Sequence, residues 1–228
     1  MPALAYTLIP VAAVLLGSLA AVLRRPGDAA IAGTQHLAAG VVFAAAAAEI
    51  LPQIMHQASP AATLIGGGLG VAAMLGLKEI EKRFEGRIAL LGAIGLDILV
   101  DGLVLGLAFV AGAKAGILLT IALTLEVLFL GLSLATELGE TMRSKARVVA
   151  TTTAIALLLP LGALAAFPVA QLPPVVIAGF LSFGLMALLY LVTEELLVEA
   201  HEKPDSPLIS AMFFVGFLAL LLIEEMLG

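Results

Sequence analysis

The 228-residue chain contains no cysteine, which removes disulfides, thiolate metal ligands and cysteine nucleophiles together. It contains no tryptophan and only two tyrosines, so an aromatic belt at a membrane–water interface is nearly missing. Charge is scarce as well. Only 12% of the residues are charged, against roughly 25% in an average soluble domain. The net charge of −6 argues against nucleic acid as a partner. What fills the space is apolar: 62% of the residues, with a mean hydropathy of +1.17. Such a composition predicts an integral membrane protein, with the lipid bilayer as its solvent.

The apolar residues recur in blocks of about 20, the length that crosses a hydrocarbon core. Eight spans are expected, over 3–23, 30–55, 60–78, 87–112, 113–138, 146–167, 174–199 and 207–227. The breaks between them carry turn or charge signals, among them RRPGD at 24–28, QASP at 57–60, KEIEKRFEGR at 78–87 and EKPDSP at 202–207. Short alternating segments of the kind that build a membrane β-barrel are not seen. The fold class expected is therefore all-α, eight transmembrane helices forming one domain over 1–228. The first span lacks a basic flank and a clear cleavage site, and it is expected to stay as a helix of the bundle.

Lysine and arginine set the orientation. With the N-terminus outside, the inner loops hold Arg24, Arg25, Lys78, Lys82, Arg83, Arg87, Arg143, Lys145, Arg147 and Lys203, and the outer loops hold only Lys114. Ten of the 11 basic residues then face the cytoplasm. Both termini are expected on the outer side.

Acids inside the spans are the informative residues. Each ionised carboxylate at the centre of a membrane helix costs about 2.5–3.5 kcal/mol on the insertion scale. The stretch GLDILVDGLVLG at 95–106 nevertheless holds Asp97 and Asp101, four residues apart and therefore on one helical face. Glu195 and Glu199 repeat that spacing, and Glu126, Ser133 and Glu137 form a stripe, with Thr120 and Thr124 at neighbouring positions. Glu49 and Glu194 complete the acids within the spans, while Glu137, Glu140, Glu224 and Glu225 lie toward span ends. The spans hold almost no Lys or Arg, so fixed basic partners are not expected. Carboxylates gathered from several helices imply protonation or a visiting cation. Carboxylate and hydroxyl oxygens are hard ligands suited to divalent metals. His36 is expected at an interface, and His56 and His201 at loop edges in water.

These motifs resemble the ZIP (Zrt/Irt-like) family of divalent metal transporters, in its prokaryotic short-loop branch, over nearly the whole chain. LDILVDGLVLGLAF at 96–109 is similar to the fourth-helix pattern His-Asn-x-x-(Asp/Glu)-Gly, with Asp101-Gly102 on the acid-Gly pair and Asp97 on the histidine. YLVTEELLVEAHE at 190–202 looks like the seventh-helix pattern, and AGVVFAAAAAEILPQ at 39–53 like the second. The resemblance implies helices 1–3 and 6–8 related as inverted repeats around helices 4 and 5, and a homodimer; the compact loops suggest a bacterial inner-membrane setting. It also implies uptake of a divalent cation such as zinc, iron, manganese or cadmium. The cation is substrate; no prosthetic group and no enzymatic activity are expected.

Asp97, Asp101 and Glu126 would form the site, Glu195 and Glu194 complete or relay it, and Glu49 serve as an outer way-station. Two departures shape that expectation. Ile98 stands where the family has asparagine, and LEVLFLGLSLA at 125–135 keeps only Glu126 as an acid, which can be placed on either of two ligand positions. A single site of oxygen ligands fits these residues better than a two-metal centre. An intramembrane hydrolase is disfavoured, since no His-Glu-x-x-His motif occurs. The alternative is a ZIP-like metal-binding sensor or scaffold that does not transport.

Overall fold

The computed structural model describes residues 2–24, 27–57, 59–83, 87–202 and 206–227. Of the loop cations, Arg25 and Lys203 lie outside the described residues, as do the side chains of Lys82, Arg83 and Arg87. Among the described residues the chain is all-helical, with eight helices long and apolar enough to cross a membrane. They are α1 (Leu4–Leu23), α2 (Asp28–Gln57), α3 (Pro60–Ile80), α4 (Leu90–Ala111), α5 (Ala113–Thr141), α6 (Lys145–Gln171), α7 (Pro174–His201) and α8 (Pro207–Leu227). The expected spans match these in number and order, with edges differing by a few residues. The pattern fits a multi-pass membrane protein.

Local chemistry starts and bends these helices. Ser59 and Ser206 each accept a backbone N–H from the first turn, Ala62 N at 3.2 Å and Ile209 N at 3.3 Å, and each is followed by proline, whose missing N–H costs nothing at that position. Ser144 caps α6 through Arg147 N at 3.4 Å. Helix α6 is interrupted at Leu157, because Pro160 cannot donate to Ala156 and its ring crowds that carbonyl.

Two helices carry a π-helical turn, Ala46–Ile50 in α2 and Val192–Leu196 in α7. In each, the next N–H reaches back five residues, Leu51 N to Ala46 O and Leu197 N to Val192 O. In α2 the turn ends two residues before Pro52, which has no N–H to give the regular ladder, and the ladder is re-registered there. Helix α7 has no proline within its turn. There the Thr193 hydroxyl donates back to Leu189 O at 2.9 Å, on the turn before.

The bundle has an inner and an outer ring. Helices α2, α4, α5 and α7 are the more buried four, and each is covered mainly by one outer helix: α8 on α2, α6 on α4, α1 on α5 and α3 on α7. The outer helices expose large apolar side chains such as Leu16, Leu64, Phe214 and Leu218, the surface that a bilayer would cover. Close contact between rings depends on glycine. A methyl on Gly102 of α4 would run into the Leu159 carbonyl of α6, and one on Gly162 of α6 would run into the Leu99 carbonyl of α4. Small residues let membrane helices approach this closely.

Candidate metal centre

Gly102 also explains how the acidic face of α4 is aimed. With α6 seated on the glycine side, Asp97 and Asp101 are turned inward, where α5 contributes Glu126. One carboxylate oxygen from each of Asp97, Asp101 and Glu126 lies within 4.8 Å of the others. All three are buried, at 9%, 3% and 3% exposure. A divalent ion bound at about 2.0–2.6 Å spans about 4.0–5.2 Å between opposite oxygens, so the three atoms fit around one ion. Asp101 Oδ2 and Glu126 Oε2 have no hydrogen-bond partner among the described residues. Two sealed acid oxygens left without a donor are costly unless a proton or a cation serves them. The sequence between Arg87 and Arg143 offers one basic residue, Lys114, and it is engaged elsewhere.

Two cavities adjoin the triad. The smaller, of about 40 Å³, is lined by Asp97, Glu126, Ser133, Glu195, Glu199 and Gln35 together with apolar groups. The larger, of about 230 Å³, shares Asp97, Ser133, Glu195 and Glu199 and continues past Glu137, Glu194 and Lys78. Together they lead from the triad toward the end of the bundle formed by the start of α4 and the ends of α3, α5 and α7.

The other expected site residues are distributed as follows. Glu195 is half-buried and lines both cavities. Glu194 is exposed and pairs with Lys78 at 3.2 Å, whose ammonium also lies 5.5 Å from the centre of the Tyr190 ring. It stands at the mouth of the larger cavity and not among the buried acids. Glu49 lies away from the triad. Its Oε1 is 3.8 Å from Lys114 Nζ, which also lies 3.4 Å from Glu224 Oε1. The expectation that the acids within the spans have no fixed basic partner therefore fails for both Glu49 and Glu194, because Lys114 reaches the one from the first turn of α5 and Lys78 the other from the end of α3. The hydroxyls of Thr120 and Thr124 donate to Gly116 O at 2.7 Å and Thr120 O at 2.6 Å on their own helix.

His36 is buried, not interfacial, with its ring 5.0 Å from that of His201 in a near-perpendicular contact. His56 and His201 are exposed as expected, each ring held to a backbone carbonyl one turn earlier at 2.6 Å. Gln35 was not singled out by sequence. The available signal was a polar pair, Gln35-His36, inside an apolar span. Gln35 is 2% exposed and donates through Nε2 to Glu199 Oε2 at 2.7 Å. Neither a family model nor a curated protein matches the chain.

Proposed function

We propose that this protein carries a divalent metal cation across a membrane, in the manner of the ZIP transporters that its motifs resemble. The observation that carries the reading is the buried Asp97–Asp101–Glu126 triad, with unpartnered oxygens on Asp101 and Glu126 and a cavity leading away from Asp97. Acids concentrated this deeply are stabilised by a cation that visits and leaves, and the passage gives it a way to do so.

The cation would be held by the triad, pass Glu195, and leave through the wider acidic cavity past Glu137, Glu199 and Glu194. The wider cavity, of about 230 Å³, has room for several waters, so an ion there can keep waters of hydration. On the distribution of basic residues, that mouth is cytoplasmic and both termini are outside. The arrangement is then a state open to the inside, and uptake ends there.

Several features support inverted repeats of α1–α3 and α6–α8 around α4 and α5. Exchanging α1 with α6, α2 with α7, α3 with α8 and α4 with α5 turns the pair α1·α5 into α6·α4 and the pair α3·α7 into α8·α2, the same four main contacts. The Ser-Pro starts of α3 and α8 and the π-helical turns of α2 and α7 obey the same exchange. Such repeats, with a midplane site between them, suit alternating access.

The test is flux of Zn²⁺, Mn²⁺, Fe²⁺, Co²⁺ and Cd²⁺ into proteoliposomes, with wild type beside Asp97→Ala/Asp101→Ala and the gentler Asp97→Asn/Asp101→Asn. Flux that both double variants lose, while keeping their melting temperature and monodispersity, is the expected result. Folded wild type that binds metal and moves none of it would overturn transport in favour of a sensor or scaffold.

A further inference from the structure

We infer that the side-chain carbonyl oxygen of Gln35 is a ligand for the cation, at a second position beside the triad where the ion has shed most of its water. The inference rests on the metal-carrier reading and adds to it a ligand from α2, a helix that contributes nothing to the triad.

Gln35 lies in the interior at 2% exposure. Its amide nitrogen is committed, donating to Glu199 Oε2 of α7 at 2.7 Å. The reverse orientation of the amide would set two acceptor oxygens against each other, so the carbonyl oxygen is the free end. That oxygen, Oε1, is sealed from solvent and has no hydrogen-bond partner among the described residues. A buried acceptor left in this condition costs about 1–3 kcal/mol. The residue lines the smaller cavity, of about 40 Å³, alongside Asp97, Glu126, Ser133, Glu195 and Glu199.

The difference in size between the cavities gives the oxygen its role. The larger, of about 230 Å³, has several times the room of the smaller, of about 40 Å³, so fewer waters can accompany an ion in the smaller. An ion moving between them must exchange water for protein oxygens. More carboxylates would add charge to a site already rich in it. A neutral carbonyl replaces a water without adding charge, and as a hard oxygen it favours ions such as Mn²⁺ over soft ones such as Cd²⁺.

A change of donor element separates ligation from mere support of Glu199. Gln35→Leu and Gln35→Met both remove the amide that holds Glu199, but only methionine offers sulfur near the position of the lost oxygen. Binding of Mn²⁺ and of Cd²⁺ to the purified full chain is measured by calorimetry for wild type and both variants. Asp101→Asn serves as the control for the triad, and flux is measured on the same proteins.

Both variants are expected to weaken Mn²⁺, while Gln35→Met holds Cd²⁺ about tenfold more tightly than Gln35→Leu does, as a soft donor should. Wild-type affinity for both ions in both variants would overturn the inference and indicate that a water serves Oε1. Equal losses of both ions in both variants would also overturn it, leaving Gln35 as a support for Glu199. Wild type that binds Mn²⁺ but does not transport it would refute the carrier reading and leave the ligand assignment to stand or fall on the binding ratio. Wild type that binds neither ion would refute both.

Discussion

Glu49 and Glu195 occupy the same place, the fourth residue, of two five-residue π-helical turns, one in α2 and one in α7. Each turn inserts an extra residue into its helix and so re-aims the side chains around it, a device found often at functional sites. The two glutamates nevertheless meet different surroundings. Glu195 lines both cavities with Asp97, whereas Glu49 is neighbour to the ammonium of Lys114.

That contrast makes a prediction about two chemically identical substitutions. Glu195→Gln removes a negative charge from the wall of the ion's path and should weaken Mn²⁺ or Zn²⁺ binding about tenfold, or ~1.4 kcal/mol. Glu49→Gln should leave the same affinity within about twofold, because its charge is distant from the triad and already opposed by Lys114. Calorimetric titration of both variants in detergent reads the difference. Equal losses would mean that the two turns serve one site.

Lys114 supplies the second prediction. Its Nζ lies 3.4 Å from Glu224 of α8 and 3.8 Å from Glu49 of α2, so a residue of the first turn of α5 ties two other helices at the end of the bundle opposite the wide cavity. Partly exposed pairs are weak individually, and two of them together contribute about 1 kcal/mol. Lys114→Met should therefore let that end open more often. The chain has no cysteine of its own, so a single Thr120→Cys reporter has no competing thiol. Thr120 is 3% exposed and lies about one and a half turns deeper on α5. A membrane-impermeant maleimide should label it about fivefold faster in the Lys114→Met background, the change that ~1 kcal/mol allows. An unchanged rate would show that the tie does not hold that end shut.

Much of this was legible in the sequence, and for identifiable reasons. The length and hydropathy of the blocks mark eight helices, and the i, i+4 spacing of Asp97 and Asp101 needs only helical geometry to bring the pair together. Glu126 joins them because an acid in an apolar span must face the interior. What sequence did not disclose depends on distances between helices. Gln35 and Glu199 are 164 residues apart, and nothing local marks their contact. Lys114 reaches Glu49 only because the start of α5 lies beside the later turns of α2 and α8. The π-helical turn before Pro52 has a cause in sequence, whereas the one at Val192 has none within its own residues. His36 looked interfacial because it lies near a helix end, yet α7 covers it with His201.

The final prediction concerns the seam that holds α4 in place. Gly102 directly follows Asp101, and the Leu159 carbonyl of α6 occupies the space that a side chain would need. Gly162 meets the Leu99 carbonyl in the reciprocal way, so backbone lies against backbone on both sides and neither can yield by rotating a side chain. Gly102→Ala must therefore move a helix. Overpacking of this kind costs about 1–3 kcal/mol, which should lower Tm by roughly 3–10 °C. Because the added methyl sits on the residue next to Asp101 and pushes against Leu159, metal affinity should fall with it. Gly68 of α3 is the matched control, since an added methyl there meets nothing within 4 Å. Gly68→Ala should keep both Tm and affinity, or gain slightly in stability from the better helix former. If Gly102→Ala instead matches Gly68→Ala in both measurements, the α4–α6 seam has slack, and the aim of Asp101 must be set by its contacts with α5.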